Sequence, residues 1–225
     1  MSYYYLILFL AFIIPIIFSF HPLIRFNRKF NIILRSIPLS SVPFIIWDIY
    51  FTDNGVWGFN KEFVSNIYLL SLPLEEVLFF FVVPFCCLYT YHVIERYDFS
   101  FFRIRKWSTI NDIIILALIV LSVSNISNMY TAFCFLFCSF IMLLERKTDV
   151  RISFNHYYTL FIFIMIPFTL VNGALTGLFF NQTVVWYNNA ETLGIRILTI
   201  PIEDTVYAHA LILLNIIIYK NLKET

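Results

Sequence analysis

The chain has 225 residues, of which 60% are hydrophobic and only 13% are charged, and its mean hydropathy is +0.82. A soluble domain of this length needs far more polar surface than this composition provides, so a soluble globular fold is excluded. The net charge of +1 favours no nucleic-acid partner. The four cysteines all lie inside apolar runs and lack the spacing of a metal site or a disulfide framework.

Seven apolar runs predict membrane-spanning helices, because a bilayer requires about 20 such residues per helix. In chain order the runs cover residues 3–20, 32–51, 74–94, 112–125, 130–144, 156–172 and 202–219. The fourth and fifth are short, and the polar segment 122–128 between them predicts a tight turn or a kink. The first run has no charged residue before it and no cleavage site after it, so it predicts a retained helix rather than a signal peptide.

The basic residues support a count of seven, because cytoplasmic loops carry the excess of Lys and Arg. With the N-terminus outside, seven spans place all 15 Lys and Arg on the inner side except Lys61 and Arg196. With one span fewer, the basic residues would no longer be concentrated on one side of the membrane. The sequence therefore predicts a multi-pass protein with an outer N-terminus and a cytoplasmic C-terminus.

An internal repeat is also present. Residues 71–76 (SLPLEE) recur as residues 199–204 (TIPIED), and the pair Trp47-Asp48 corresponds to Val171-Asn172. The first three spans thus map onto the last three. The predicted fold is an all-α integral membrane protein of about seven transmembrane helices in a 3+1+3 parallel tandem repeat. Its predicted divisions are a first three-helix repeat at 1–97, a linker with the fourth helix at 98–128, and a second repeat at 129–225.

Each repeat carries an acidic pair at the start of an apolar helix, Glu75 with Glu76 and Glu203 with Asp204. The proline of each motif fits the first helical position, where no N–H donor is needed. One interpretation is that the acids cap the helix and complement its dipole. The other is chemical, because ionisable groups at membrane depth are costly and usually functional. Two adjacent carboxyls in an apolar setting need not both ionise, so one can act as an acid.

Aromatic side chains follow both acidic pairs. Phe79 and Phe80 lie one helical turn beyond the first pair, and Tyr207 is the counterpart of Phe79. Ring faces stabilise cations, although packing alone explains most of the 27 Phe in the chain. Asp48, near the end of the second span, either lines the same cavity or only marks the end of its helix.

The outer loops carry two tryptophans and one arginine of interest. Trp57 and Trp186 are interpreted as part of an interfacial aromatic belt. Arg196 either pairs with Glu203 or Asp204 or faces water. The sequence contains no Gly-rich nucleotide loop and no cluster with metal-ligand spacing, so neither a cofactor nor a metal is predicted.

The residues Pro73-Leu74-Glu75-Glu76, with Phe79-Phe80 after them and Trp47-Asp48 before them, resemble the lycopene cyclase domain. Residues 194–204 of the second repeat resemble it too. This membrane family occurs as paired subunits in some bacteria, as fused single chains, and as the cyclase half of fungal phytoene synthase/lycopene cyclase proteins. The resemblance covers essentially the whole chain, as a fused tandem of the two-subunit bacterial type.

The resemblance implies a lycopene β-cyclase that needs no cofactor. A protein acid protonates the terminal double bond of the acyclic ψ-end, the neighbouring double bond closes a six-membered ring, and a base removes a proton. The expected product is β-carotene, formed through γ-carotene, although the sequence leaves ε and γ rings open. Glu75 and Glu203 are implied as proton donor and acceptor, supported by Glu76 and Asp204, and the resemblance leaves open which of the two donates. The residues implied around the substrate are Phe79, Phe80, Tyr207 and Asp48.

The implied partners are a carotenoid dissolved in the membrane and the membrane lipid itself, in a bacterial inner membrane. Another enzyme of the carotenoid pathway and a second copy of the chain remain open as protein partners. The alternative from another class is a small 3+1+3 membrane transporter. Such a transporter should have broken helices and polar groups at mid-span, whereas the acids here cluster at helix starts and the chain has only five Gly.

Overall fold

The structure is a computed structural model that describes residues 2–179 and 182–224. Within these residues it has seven α-helices: α1 (Tyr3–Ser19), α2 (Phe30–Asp53), α3 (Leu74–Arg96), α4 (Trp107–Ser124), α5 (Met129–Glu145), α6 (Phe154–Leu175) and α7 (Glu203–Glu224). Five are long and apolar enough to cross a membrane, and α1 and α5 are shorter apolar helices of 17 residues each. The predicted all-α integral membrane fold is confirmed.

Short β-strands, which the sequence did not predict, pair in the loops at one end of the helices. They are β1 (Trp57–Phe59), β2 (Tyr68–Leu69), β3 (Leu72–Pro73), β4 (Val185–Tyr187), β5 (Arg196–Ile197) and β6 (Ile200–Pro201). β2 pairs with β3 and β5 with β6, both antiparallel and at corresponding positions in the two repeats. Each hairpin turns at a leucine with positive φ, 56° at Leu70 and 58° at Leu198. Strands of two or three residues are too short to show an alternating apolar pattern in the sequence.

These hairpins change the position of the two prolines. Pro73 belongs to β3 and precedes the first residue of α3, and Pro201 belongs to β6, two positions before α7 begins. The prediction that both prolines occupy the first helical position is therefore wrong. A strand residue has the extended backbone that proline also tolerates, and Pro73 has φ −61° and ψ 147°.

Helices of the two repeats pack against one another. Within each repeat the first helix packs on the third, α1 on α3 and α5 on α7. The second helix of each repeat packs on the third helix of the other, α2 on α7 and α6 on α3, and α2 also packs on α3 of its own repeat. Strands β1 and β4 join the repeats as an antiparallel pair with Gly58 opposite Trp186. A side chain at Gly58 would come within 2.5 Å of the Trp186 ring, so glycine permits this close crossing.

The opposite end of the bundle is held by a separate set of polar contacts. Lys220 Nζ donates to Glu95 Oε1 at 2.5 Å and to the carbonyl of Arg151 at 3.2 Å. His92 Nε2 lies 3.0 Å from the carbonyl of Ile24. These contacts bring basic loops together at the end of the helices that lies away from both acidic pairs.

Candidate active site

A long cavity of about 680 Å³ lies between α1, α3, α6 and α7. Helix α1 lines it from Tyr3 to Pro15 and α3 lines it from Glu76 to Thr90. At a rise of about 1.5 Å per residue, these stretches extend roughly 20 Å along the helix axes. The volume is within the range of small-molecule sites, and the length is suited to an extended ligand.

Between α1 and α6 the cavity is lined by apolar side chains that are also exposed. Leu10 and Ile14 of α1 line the cavity and are 59% and 62% exposed. Leu170 of α6 likewise lines the cavity and is 54% exposed. In a bilayer, exposed apolar side chains on this side of the bundle face hydrocarbon.

Three carboxyl groups line the cavity at its end near the hairpins: Asp48 of α2, Glu76 of α3 and Asp204 of α7. All three are buried. Carboxyl groups at the wall of an apolar cavity are costly, which marks this end as the candidate site. Among the described residues, no group of three His, Cys, Asp or Glu is arranged to hold a metal ion.

Tyrosine hydroxyls donate to two of these carboxyls. Tyr4 Oη donates to Glu76 Oε2 at 2.6 Å. Tyr130 Oη donates to Asp204 Oδ1 at 2.6 Å, and Tyr187 Oη donates to Asp204 Oδ2 at 3.0 Å. Burial, and next the neighbouring Asp204 carboxyl, raises the pKa of Tyr187 well above its usual value, so this phenol keeps the proton that it donates. Asp204 thus receives a hydroxyl on each oxygen and Glu76 on only one.

Asp48 is held by the loop that follows its own helix. Trp57 Nε1 donates to Asp48 Oδ1 at 2.5 Å, and Oδ2 of Asp48 is buried without a partner among the described residues. Asp48 lines the cavity, and so does Asn172, its counterpart in the second repeat. The interpretation of Trp57 as an interfacial residue is wrong, because the pairing of β1 with β4 carries it inward and leaves it 6% exposed. Trp186 is 45% exposed, as a residue at the membrane interface would be.

Glu75, the first acid of the first pair, does not line the cavity. Its Oε1 accepts the backbone N–H of Ser65 at 2.6 Å and the hydroxyl of Ser2 at 2.5 Å. The side chain is fully buried. These contacts tie the loop before β2 and the start of α1 to the start of α3.

Glu203 makes the same contacts in the second repeat. Its Oε1 accepts the backbone N–H of Leu193 and the hydroxyl of Thr131, each at 2.6 Å, and the side chain is fully buried. The structure therefore places both residues predicted as proton donor and acceptor behind the cavity, in contacts that fix the loops. Successive helical residues point about 100° apart, so only the second acid of each pair faces the cavity.

Of the predicted aromatic residues, two line the cavity and one does not. Phe79 and Tyr207 line the cavity, one turn beyond Glu76 and Asp204 respectively. Phe80 does not line it, since its side chain is buried in the core, and its carbonyl accepts the Ser41 hydroxyl at 2.5 Å.

Arg196 lies outside this cluster of carboxyls. It is exposed, and it donates to the carbonyl of Thr199 at 2.6 Å and to Asn189 Oδ1 at 2.8 Å. Its guanidinium carbon lies 5.9 Å from the ring centre of Tyr187, close enough for a cation–π contact. Of the two alternatives for Arg196, the described contacts favour exposure to water over pairing with Glu203 or Asp204.

Three tyrosines and one tryptophan of the site were not predicted as functional: Tyr4, Tyr130, Tyr187 and Trp57. Tyr4 and Tyr130 are related across the repeats, since each comes from a first helix and donates to the second acid of its pair. Their separation is 126 residues, whereas the acidic motifs are 128 apart. A search for matches at one fixed offset therefore misses them.

The fold and the site define a multi-pass membrane protein with acid–base groups at the end of a hydrocarbon-lined cavity. The family model described as lycopene cyclase matches residues 1–94 and 127–222, and the chain belongs to the lycopene cyclase family. The matched segments cover α1–α3 and α5–α7 almost completely, with α4 between them. No curated protein and no solved structure matches the chain. The family supports a carotenoid cyclase activity and does not favour the transporter alternative.

Proposed function

We propose that the protein is a lycopene β-cyclase, which closes the acyclic ψ-end of lycopene to a β-ring without a change of oxidation state. The observation that carries this proposal is the cavity itself. It is apolar and about 20 Å long, estimated from the helical rise, and it has three buried carboxyl groups at one end. A linear hydrocarbon fits such a cavity with one end against the acids.

Glu76 is the proposed proton donor. Tyr4 occupies one of its oxygens, and among the described residues nothing bonds to the other, Oε1, at the cavity wall. A protonated Glu76 transfers its proton to the terminal double bond of the ψ-end, which leaves a cation on the branched carbon. The neighbouring double bond then attacks this carbon, and the ring closes with the positive charge on a ring carbon.

Asp204 is the proposed base. Two phenolic hydroxyls stabilise its carboxylate, which is the form that accepts a proton. Loss of a proton from the ring carbon beside the cation gives the β-ring double bond, so the product has the same atoms and electrons as the substrate. One turnover moves a proton from Glu76 to Asp204, and its return to Glu76 restores the site. The rings of Phe79 and Tyr207 stabilise the intermediate cation.

We further propose a bacterial inner membrane as the location, with the acids near the outer surface. This orientation is supported by the basic residues, of which all except Lys61 and Arg196 are assigned to inner loops, the inner start of α2 or the C-terminal tail. The proposed route of the substrate to the acids is from the membrane, between α1 and α6. Lycopene and the surrounding lipid are the proposed partners, and a second enzyme of the pathway or a second copy stays a proposal.

The test is expression in a bacterial host that accumulates lycopene. We expect the red pigment to be converted to a cyclised product of unchanged mass, with a monocyclic carotene before the bicyclic one. Liquid chromatography with mass detection measures both. Lycopene that persists in cells with normal amounts of membrane-inserted protein contradicts the proposal.

Replacing Tyr187 with Phe removes one of the two hydroxyls that stabilise the Asp204 carboxylate. A hydrogen bond to a charged group contributes about 1.5–3 kcal/mol, so we expect conversion to be roughly 10-fold to 100-fold slower. The rate of lycopene loss in isolated membranes measures this. Tyr68→Phe is the matched control, since Tyr68 is exposed and does not line the cavity. Equal rates for the two variants would remove Tyr187 from the proposed mechanism.

A further inference from the structure

The repeat predicts a second cavity, the counterpart of the one that the described residues enclose. Helices α1 and α6 border the open cavity. The repeat relates α1 to α5 and α6 to α2. The space between α2 and α5 is therefore the duplicate of the open space between α6 and α1. In the described chain this duplicate space is filled by aromatic rings.

Trp47 of α2 lies at the centre of these aromatic rings. Its ring centre lies 4.8 Å from that of Phe133, 5.5 Å from that of Phe137 and 4.6 Å from that of Tyr207. Phe44, one turn before Trp47, is 5.4 Å from Phe137. Trp47 is 4% exposed, so the rings leave little free space around it.

The open cavity has smaller residues at the corresponding positions. Val171 is the counterpart of Trp47, and it lines the cavity. Phe44 has an aromatic counterpart in the open half too, so it does not account for the difference between the halves. The difference is accounted for by the indole ring of Trp47, which stands where the open half has the isopropyl group of Val171.

The first helices show the same difference. Tyr4 and Tyr130 bind equivalent acids, and this equivalence sets the register between α1 and α5. In that register the counterpart of Phe133 is Ile7 and the counterpart of Phe137 is Ala11. Both Ile7 and Ala11 line the open cavity.

We propose that the chain binds one carotenoid at a time, because Trp47, Phe133 and Phe137 form an aromatic plug in the duplicate of the substrate cavity. The identity of the bound molecule rests on the proposed function, whereas the number of cavities rests on the packing alone. A linear carotene presents one of its two ends to the acids in each binding event. It leaves the cavity and binds again, reversed, before its second end is cyclised.

The test counts bound carotenoid per chain. Purified protein in detergent is incubated with excess lycopene, micelle-dissolved pigment is removed by size exclusion, and total carotenoid is extracted and measured by chromatography. The plug is then transferred to the open half with the double variant Ala11→Phe/Val171→Trp. The matched control is Ile17→Phe/Ile166→Trp, which enlarges one position on each of the same helices. Both control positions are exposed, 60% and 68%, and neither lines the cavity.

We expect about one carotenoid per chain for the wild type and the control, and at least tenfold less for Ala11→Phe/Val171→Trp at an unchanged elution volume. Two carotenoids per wild-type chain would overturn the single cavity and leave the proposed cyclase function intact. Full binding by Ala11→Phe/Val171→Trp would overturn the role of the plug. A correctly folded wild type that binds none would contradict this inference and the proposed function together.

Discussion

Replacing Glu76 with Gln is expected to lower lycopene conversion at least about 100-fold while the amount of folded protein stays the same. General acids contribute about 100-fold to 10,000-fold to the rates of reactions they catalyse, and an amide has no comparable proton to give. The variant keeps the fold because the Gln side chain is nearly the same size and can still accept the Tyr4 hydroxyl. Initial rates of lycopene loss in membranes, normalised to protein by immunoblot, measure the effect.

Glu62→Gln is the control for this prediction, because Glu62 is an exposed glutamate and does not line the cavity. It should convert lycopene at the wild-type rate. If Glu76→Gln also does so, Glu76 is not the acid, and Asp48, which lines the same end of the cavity, becomes the candidate.

Replacing Glu203 with Ala is expected to reduce stability rather than only activity. The change leaves the N–H of Leu193 and the hydroxyl of Thr131 without their acceptor. Each unpaired buried group costs about 1–3 kcal/mol, so we expect a loss of about 2–6 kcal/mol in the free energy of unfolding. Size-exclusion chromatography of detergent-solubilised protein after heating at a series of temperatures measures the fall in the melting temperature.

Glu203→Gln separates the structural role from a chemical one. Its amide oxygen can still accept both hydrogen bonds, so this variant should be far more stable than Glu203→Ala and should retain activity. The same pair of changes at Glu75 should behave alike, because Ser65 and Ser2 bind it in the same way. A Glu203→Gln variant that is fully folded and inactive would show that Glu203 takes part in the chemistry itself.

Most of the helical architecture could be predicted from the sequence, because long apolar runs separated by charged loops have few other solutions in a membrane. The seven predicted runs each correspond to a helix. The boundaries were less predictable. Helix α4 was expected from residue 112 and begins at Trp107, since its first turn lies outside the apolar run. Hydropathy detects the apolar part of a helix, and backbone hydrogen bonding continues past it.

The candidate site was predicted to the level of two acidic pairs, and the structure places the second acid of each pair, rather than the first, at the cavity. Neighbouring helical residues differ by about 100° in direction, so the choice depends on the rotation of the helix. A signal for this rotation was present in α3, where Glu76, Phe79 and Val83 recur at helical spacing and all line the cavity. In α7, Asp204, Tyr207 and Leu211 repeat it.

The role of Trp57 could not be predicted, because it depends on contacts between distant parts of the chain. Trp57 reaches Asp48 only when β1 pairs with β4, and the paired residues Trp57 and Tyr187 are 130 positions apart. Neither strand is long enough to be recognised alone. Such pairing follows from the packing of the two repeats and not from local sequence.

The hydrogen bonds to the acids have one further consequence. Glu76 is bound by Tyr4 and Asp48 by Trp57, all within the first repeat. Asp204 is bound by tyrosines that belong to the second repeat alone, as is Glu203 by its partners. Each repeat thus supplies the hydrogen bonds to its own acids, whereas the hydrocarbon-lined space is built from helices of both repeats. In this respect the chain resembles a heterodimer whose two subunits are joined by a covalent tether.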